Sequence, residues 1–169
     1  MLCYQGKKDL QLIGYSNADW GGDVDQFKST SGCAFLLNDS AILWRSNKKQ
    51  SYIALSTIEA EYVACSAATQ DVVWLKKFLY HLKIVKLASD PVIIYCDNNA
   101  AIVVAKDLKY HGKTKHIKMR YHYIREAITE QDVILKHIYT NFMVVDPLTK
   151  PIARDAFVRH VRSLGLCRM

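Results

Sequence analysis

The stretch "LSTIEAEYVACSAATQDVVWLKKFLYHL", Leu55 to Leu82, decides the fold because it predicts one long helix with a single buried face. Ser56 and Glu59 form a capping-box pattern, which predicts that the helix begins near Ser56. At 3.6 residues per turn, one carboxylate and six apolar side chains share a face of this helix. These residues are Glu61, Ala64, Cys65, Ala68, Val72, Leu75 and Leu79. A helix with this stripe packs against a sheet, so the sequence predicts an α/β fold.

Glu61 is the unusual member of that stripe. A buried, unpaired carboxylate costs several kcal/mol, so Glu61 requires a cation, a basic partner or a proton. The alternative is that its side chain reaches solvent at the helix end. Glu59 shares another face with Val63, Ser66 and Gln70 and is expected to point to water.

Five strands and three further helices complete the predicted architecture. The strand at 9–17 is followed by an acidic turn, and "NDS" joins the next two strands as a hairpin. The other strands are expected at 30–38, 40–46, 91–97 and 133–140, and the other helices at "NNAAIVVAKD", "MRYHYIREAITE" and "ARDAFVRHVRSLGL". This order predicts a five-stranded mixed sheet, with three antiparallel strands first, flanked by helices. We expect one domain over 1–169, with a lead-in at 1–9 and a C-terminal helix within 152–169.

Composition limits the functional class. The chain has 169 residues and a formal charge of +7, which favours a polyanionic partner such as nucleic acid. The five cysteines form no C-x-x-C pair and are interpreted as buried apolar residues in a reducing compartment. No stretch reaches the ~18 apolar residues of a membrane span, and no apolar signal region begins the chain. We therefore expect an intracellular protein without a membrane partner.

Two aspartates follow predicted elements and have more than one interpretation. Asp97 ends the buried strand and either caps the next helix or lies where open α/β sheets collect ligands. Asp146 precedes Pro147 and could cap a short turn. At the end of the first strand, in "YSNADW", the polar residue is the amide Asn17. The residue pattern alone does not bring these side chains together.

Several motifs, in a fixed order over roughly residues 10–151, resemble one family. They are "GYSNADWGGD", "KSTSG", "LSTIEAEYVACSAA", "IIYCDNNAAI", "HGKTKHIKMRYHYIRE" and "DPLTKP". The sequence resembles the ribonuclease H domain of the Pol polyprotein of copia-type long-terminal-repeat retrotransposons. The resemblance implies the ribonuclease H-like fold, with which the predicted element order is compatible.

The resemblance also implies a two-metal nuclease that cuts the RNA strand of an RNA–DNA hybrid. Glu61, Asp97 and Asp146 match three of the family's four carboxylates, which hold two Mg²⁺ (or Mn²⁺) ions. The fourth position is an aspartate in the family and Asn17 here. A neutral amide bridges two hard cations poorly, so we expect weak binding of at least one ion and reduced cleavage. Asp19 could substitute, although we expect the turn to direct it away.

Ten residues are predicted to contact nucleic acid, through lysines, hydroxyls and amides that suit phosphates. They are Lys28, Ser29, Thr30, Ser31, Lys48, Lys49, Asn98, Lys113, Lys115 and His116. The basic segment between Lys106 and Arg125 could equally be a solvated surface.

The histidines and tryptophans give no specific prediction of a metal ligand or of base stacking. The spacing of the three histidines, His111, His116 and His122, does not favour a zinc site. A histidine near the metal site could assist catalysis, and the sequence does not choose between His111 and His116. The tryptophans are interpreted as packing residues rather than base-stacking residues; they are Trp20, Trp44 and Trp74.

Three functions remain open from the sequence. The first is a retroelement ribonuclease H domain, with an upstream reverse transcriptase domain as a partner, in a cytoplasmic particle or in the nucleus. The second is a non-catalytic module that binds hybrid or other nucleic acid. The third is a domesticated protein-interaction domain. Asn17 is consistent with an engineered change or with natural drift. Two other positions favour drift, because the family that the sequence resembles usually has a basic residue in place of Phe27 and an acidic residue in place of Lys118.

Overall fold

A computed structural model gives the fold. It describes residues 1–2, 4, 10–23, 25–47, 50, 53–83, 90–107 and 115–166, and for 115–121 the backbone alone. The strands are β1 (Leu12–Asp23), β2 (Lys28–Leu37), β3 (Ser40–Asn47), β4 (Val92–Cys96) and β5 (Val133–His137). The helices are α1 (Thr57–His81), α2 (Asn99–Lys106), α3 (Lys115–Thr129) and α4 (Arg154–Ser163), with 3₁₀ turns at Thr140–Phe142 and Asp146–Leu148.

The strands form one sheet in the order β3-β2-β1-β4-β5. β1 pairs antiparallel with β2 and β2 with β3, whereas β4 is parallel to both β1 and β5. This arrangement confirms the predicted five-stranded mixed sheet. The β2–β3 hairpin turns at Asn38 and Asp39, which have φ values of 48° and 65°. Two successive positive φ angles are typical of the tight hairpin turn that "NDS" predicted.

The predicted start and buried stripe of α1 are confirmed. The Ser56 hydroxyl accepts from the Glu59 N–H at 3.2 Å, and the Glu59 carboxylate accepts from the Leu55 N–H at 2.7 Å. All seven residues of the stripe, Glu61 included, are buried. Glu59, expected to point to water, is half-buried as part of the cap, and its neighbours Val63 and Ser66 are buried.

Alternate residues of β2 divide the interior into two clusters, one on each face of the sheet. Cys33 and Phe35 pack with α1, α2 and α3, whereas Ala34 and Leu36 pack with the segment 143–145 and Leu164. No helix among the described residues is both long and apolar enough to cross a membrane. The sheet therefore carries a helical layer on one face and the chain around Asp146 on the other.

Several element ends differ from the sequence-based expectations. β1 does not stop at residue 17 but continues to Asp23, with an irregular register between Asp19 and Asp23. β5 ends at His137, because a 3₁₀ turn begins at Thr140. The helix expected at "MRYHYIREAITE" begins earlier, at Lys115.

The tryptophans, interpreted as packing residues, do not belong to the core. Trp20, Trp44 and Trp74 are all about half exposed. Trp20 lies on β1 and donates its indole N–H to the Ala54 carbonyl at 2.9 Å. Trp74 lies on α1 outside the buried stripe and stacks on Phe78, with ring centroids 5.2 Å apart. Their amphipathic rings cover the surface rather than fill the core.

Val72→Ala tests the buried stripe. Val72 is fully buried, so the substitution should lower the free energy of unfolding by about 2 kcal/mol or more through a cavity. Urea unfolding monitored by circular dichroism measures the change. Val103→Ala, at an exposed site of α2, is the matched control and should cost far less. Equal losses in the two variants would contradict the assignment.

Candidate metal and nucleic-acid site

The parallel pairing of β1 with β4 places Asn17 and Asp97 at one edge of the sheet. Tyr15 pairs with Tyr95, and Asn17 and Asp97 each come two residues after this pair. Asp97 directly follows the last residue of β4. Asn98, the next residue, caps α2 by accepting from the Ala101 N–H at 3.1 Å, so the cap role considered for Asp97 belongs to Asn98.

Glu61 reaches this edge from the first turns of α1. Its side chain is 5% exposed, and Oε1 accepts from the Ala18 N–H at 2.9 Å. Oε2 accepts a weak hydrogen bond from the Cys96 thiol, with the sulfur 3.8 Å away. Glu61 therefore does not reach solvent at the helix end, and no basic side chain among the described residues forms an ion pair with it.

Asp146 comes to the edge from the opposite face of the sheet. The 3₁₀ turn that carries it packs over Gly32, where an added Cβ would lie 2.8 Å from the Thr149 methyl group. Gly32 pairs with Asn17 across β1 and β2, so the absence of a side chain there lets the turn approach Asn17. The Asn17 Nδ2 donates a hydrogen bond to Asp146 Oδ1, and Lys150 Nζ lies 3.2 Å from the same oxygen.

Asp97 is close enough to the other two carboxyl groups to act on both. Its negative charge contributes to a raised pKa at both Glu61 and Asp146. Potential ligand atoms of Glu61, Cys96 and Asp97 all lie within 4.8 Å of one another. Thr140 orients Asp97 by donating its hydroxyl to Oδ2 at 2.9 Å. The structure thus brings together Glu61, Asp97, Asp146 and Asn17, which are distant in sequence.

Burial controls the ionisation of the two enclosed carboxyl groups. Burial is the largest cause that raises the pKa of Glu61 to about 10, and the nearby Cys96 and Asp97 add to it while the Ala18 N–H opposes it. Burial also raises the pKa of Asp146, and the Lys150 ammonium group partly offsets the rise. Without a cation, Glu61 is therefore neutral at physiological pH.

The donor set fits one hard divalent cation better than two. Glu61 and Asp97 offer carboxylate oxygens with no ammonium or guanidinium partner among the described residues, which suits Mg²⁺ or Mn²⁺. Asn17 directs its N–H group, a donor, at Asp146, and Lys150 already neutralises that carboxylate. An N–H donor cannot ligate a cation, and the Asn17 Oδ1 already accepts from the Ala18 N–H at 2.8 Å, so Asn17 in this orientation does not fit the bridging role.

The other acidic residues near the turn lie outside this group. The Asp19 carboxylate folds over Gly22 and takes the space that an added Cβ would occupy there. Asp23 accepts from the N–H groups of Asp25 and Gln26 and so closes the β1–β2 turn. These placements agree with the expectation that the turn directs Asp19 elsewhere.

The predicted nucleic-acid residues have different surroundings. Ser29 and Ser31 are buried and bonded internally, Ser29 to the Gly21 N–H and Ser31 to the Gln50 amide. Lys28 and Thr30 are half-buried and keep access to solvent.

The side chains of the remaining basic candidates lie outside the part of the chain that the structure describes. Three of them lie outside the described residues, namely Lys48, Lys49 and Lys113. Lys115 and His116 belong to the part of α3 whose backbone alone is described. Of the other two histidines, His111 lies outside the described residues and His122 is exposed.

Three site residues were missed from the sequence. Lys150 follows Asp146 by four residues, a spacing that could have predicted their ion pair. Cys96 precedes Asp97 directly, but nothing in the sequence shows that its thiol reaches Glu61. Thr140 approaches Asp97 only through the fold, so no local pattern identifies it.

Two solved structures with the same fold are ribonuclease H proteins. The N-terminal RNase H domain of a Mycobacterium tuberculosis protein, solved as a fusion with maltose-binding protein, aligns with a TM-score of 0.58 and 12% identity over 92% of this chain and 99% of that chain. LC11-RNase H1, solved in complex with an RNA/DNA hybrid, gives 0.55 and 19% identity over 82% and 94%. At these identities the likeness concerns the fold.

Curated relatives supply the family, although no protein-family model matches the sequence. The Pol polyprotein from transposon TNT 1-94 of Nicotiana tabacum is 41% identical over 156 residues, or 92% of this chain. That from transposon RE2 of Arabidopsis thaliana is 36% identical over 95% of this chain. The chain belongs to the ribonuclease H-like domains of retrotransposon Pol polyproteins. It spans 11% of the length of each of these relatives.

In this retrotransposon domain, the Asn17→Asp substitution tests the hydrogen bond from the Asn17 amide to Asp146. The substitution replaces a donor by a second carboxylate, so in chelator the free energy of unfolding should fall by about 1–3 kcal/mol. Added Mg²⁺ should restore part of this loss. Urea unfolding with and without Mg²⁺ measures both effects, and Asn47→Asp, at an exposed strand end, is the control. Unchanged stability of Asn17→Asp in chelator would show that the contact is unimportant.

Glu61→Gln tests the neutral state of Glu61. Because its folded pKa lies above the unfolded value near 4.3, the folded protein holds the proton more tightly, and stability falls as pH rises between these values. In chelator, wild type should therefore lose stability relative to Glu61→Gln from about pH 5 to about pH 8, by up to ~1.4 kcal/mol per unit. Glu130→Gln, at an exposed site, should parallel wild type. Parallel curves for Glu61→Gln as well would refute the assignment.

Proposed function

We propose that this domain binds RNA–DNA hybrid and hydrolyses its RNA strand much more slowly than its Asn17→Asp variant would. The observation that carries the proposal is the meeting of Glu61, Asp97 and Asp146 at the end of β1 and β4. The family supports it, because the relatives are retrotransposon Pol polyproteins. A structural neighbour solved with an RNA/DNA hybrid supports the same substrate class.

Glu61 and Asp97 would hold a divalent cation, Mg²⁺ or Mn²⁺. Such an ion supplies charge neutralisation at the phosphate and lowers the pKa of a bound water molecule. The chain itself fixes the ligands: the Ala18 N–H orients Glu61, and the Thr140 hydroxyl orients Asp97. Lys150 holds Asp146 from the other side.

Asn17 accounts for the slow reaction. Two dications about 4 Å apart repel each other by on the order of 16 kcal/mol at an effective dielectric near 20, before ligands offset it. An aspartate at this position, as in the family, would offset charge on both ions, and the neutral Asn17 supplies no such charge. Its N–H group instead bonds Asp146, so a second ion would also have to break this contact.

The surface supports a polyanionic partner. The chain carries a formal charge of +7, and Lys28 and Thr30 lie on β2 with access to solvent. Phosphate contacts from such residues would position the hybrid without reading its sequence. As part of a longer Pol protein, the domain would work beside a reverse transcriptase domain that delivers the hybrid.

A second candidate function is hybrid binding without cleavage. It is favoured by the Asp146 carboxylate, which is already paired with both Asn17 and Lys150 and so needs no cation. In this case the domain would hold the hybrid through its phosphates alone.

Cleavage of a labelled hybrid by wild type and by Asn17→Asp tests the proposal. With Mg²⁺ or Mn²⁺, Asn17→Asp should cleave at least about 100-fold faster, equivalent to about 3 kcal/mol. The double variant Asn17→Asp/Glu61→Gln is the control and should be inactive. Hybrid binding without cleavage by either protein would favour the second function. Absence of both binding and cleavage would reject the nuclease assignment and leave a protein-interaction role.

A further inference from the structure

The segment between β5 and Asp146 exposes aromatic rings beside the acidic site. Tyr139 is 73% exposed and Phe142 is 64% exposed. The His137 ring, also exposed, meets the Tyr139 ring edge-on with centroids 5.6 Å apart. We call His137, Tyr139 and Phe142 the aromatic shelf. These rings contribute little to the core, so packing does not explain them.

The backbone holds the aromatic shelf in a fixed position. At one end the Ile138 N–H donates to the Cys96 carbonyl at 3.0 Å and extends the sheet beyond β5. Within the shelf the Phe142 N–H donates to the Tyr139 carbonyl at 2.8 Å. At the other end Met143 is fully buried. A surface fixed in this way binds a partner without a large ordering cost.

The aromatic shelf adjoins Asp97. Thr140 lies between Tyr139 and Phe142 in the 3₁₀ turn, and its hydroxyl donates to Asp97 Oδ2 at 2.9 Å. Lys136, the residue before the shelf, is exposed and can meet a phosphate. A strand whose phosphate lies at Glu61 and Asp97 would therefore pass the rings within a short distance.

We propose that the aromatic shelf stacks on unpaired nucleotides that extend from a hybrid held at the acidic site. The inference rests on the proposed hybrid binding. Bases inside a duplex are covered by their neighbours, whereas an unpaired base offers its face to an exposed ring. Stacking of this kind tolerates any base, which suits a protein that recognises backbone and shape.

Binding of two hybrids, measured by fluorescence anisotropy, tests the proposal. One hybrid is blunt, and the other carries a single-stranded extension of about six nucleotides, in versions on either strand. Wild type should bind one extended hybrid at least about tenfold more tightly than the blunt hybrid. Tyr139→Ala/Phe142→Ala should lose this difference and keep its affinity for the blunt hybrid. 2-Aminopurine in the extension should be quenched by wild type and not by the double variant.

A matched control comes from α1. Trp74 and Phe78 form another exposed aromatic pair, so Trp74→Ala/Phe78→Ala should keep the preference for the extension. Tyr139→Leu/Phe142→Leu removes the rings while it retains apolar volume, and should behave as the alanine variant does if that one folds poorly.

The outcomes separate the two proposals. Equal affinity of wild type for blunt and extended hybrids would overturn the shelf proposal and leave hybrid binding intact. A preference that survives loss of the rings would overturn it as well, as would an equal loss of affinity for both hybrids. If wild type binds the extended hybrid through the rings but not the blunt one, the rings bind single strands without a hybrid at the acidic site, which overturns both proposals. Binding of neither overturns both.

Discussion

The hydrogen bond from the Asn17 amide to Asp146 is the interaction on which this account of the site depends. An aspartate in that place would put two carboxylates in contact and would require a cation between them. The amide donates a hydrogen bond instead, and Lys150 supplies a positive charge, so the protein alone satisfies the Asp146 carboxylate. One side of the site is therefore neutralised without metal, whereas Glu61 has no positively charged partner among the described residues.

Glu61 shows the opposite solution to the burial of a carboxyl group. It has a backbone N–H and a thiol as neighbours, and burial keeps it protonated in the absence of a cation. Binding of a divalent ion there would release that proton, so metal affinity should increase with pH. The same edge of the sheet thus contains Glu61, which has no positively charged partner among the described residues, and Asp146, which Lys150 already neutralises.

The fold was predictable where local chemistry decides structure. The cap at Ser56 and the stripe on α1 follow from helical periodicity, and the hairpin turn follows from "NDS". Glu61 could be singled out because a carboxylate in an apolar stripe is costly to bury. The end of β1 was misplaced because its acidic, glycine-containing sequence resembles a turn, yet pairing with β2 extends it to Asp23.

The site was predictable only in part. Residue patterns left Asp97 and Asp146 as caps or ligands, and only the resemblance to a family joined them to Glu61. Their meeting depends on the parallel pairing of β1 and β4 and on Gly32, which lets the turn of Asp146 approach. Such contacts join distant parts of the chain, so no local pattern contains them. The metal-ligand and nucleic-acid roles of these residues stay predictions.

Anomalous diffraction from crystals grown with Mn²⁺ tests the central claim most directly. The account predicts a single ion at Glu61 and Asp97, with Asp146 still held by Asn17 and Lys150. Two ions, one of them bound between Asn17 and Asp146, would contradict it. So would an ion-free site at Glu61 and Asp97 at saturating Mn²⁺.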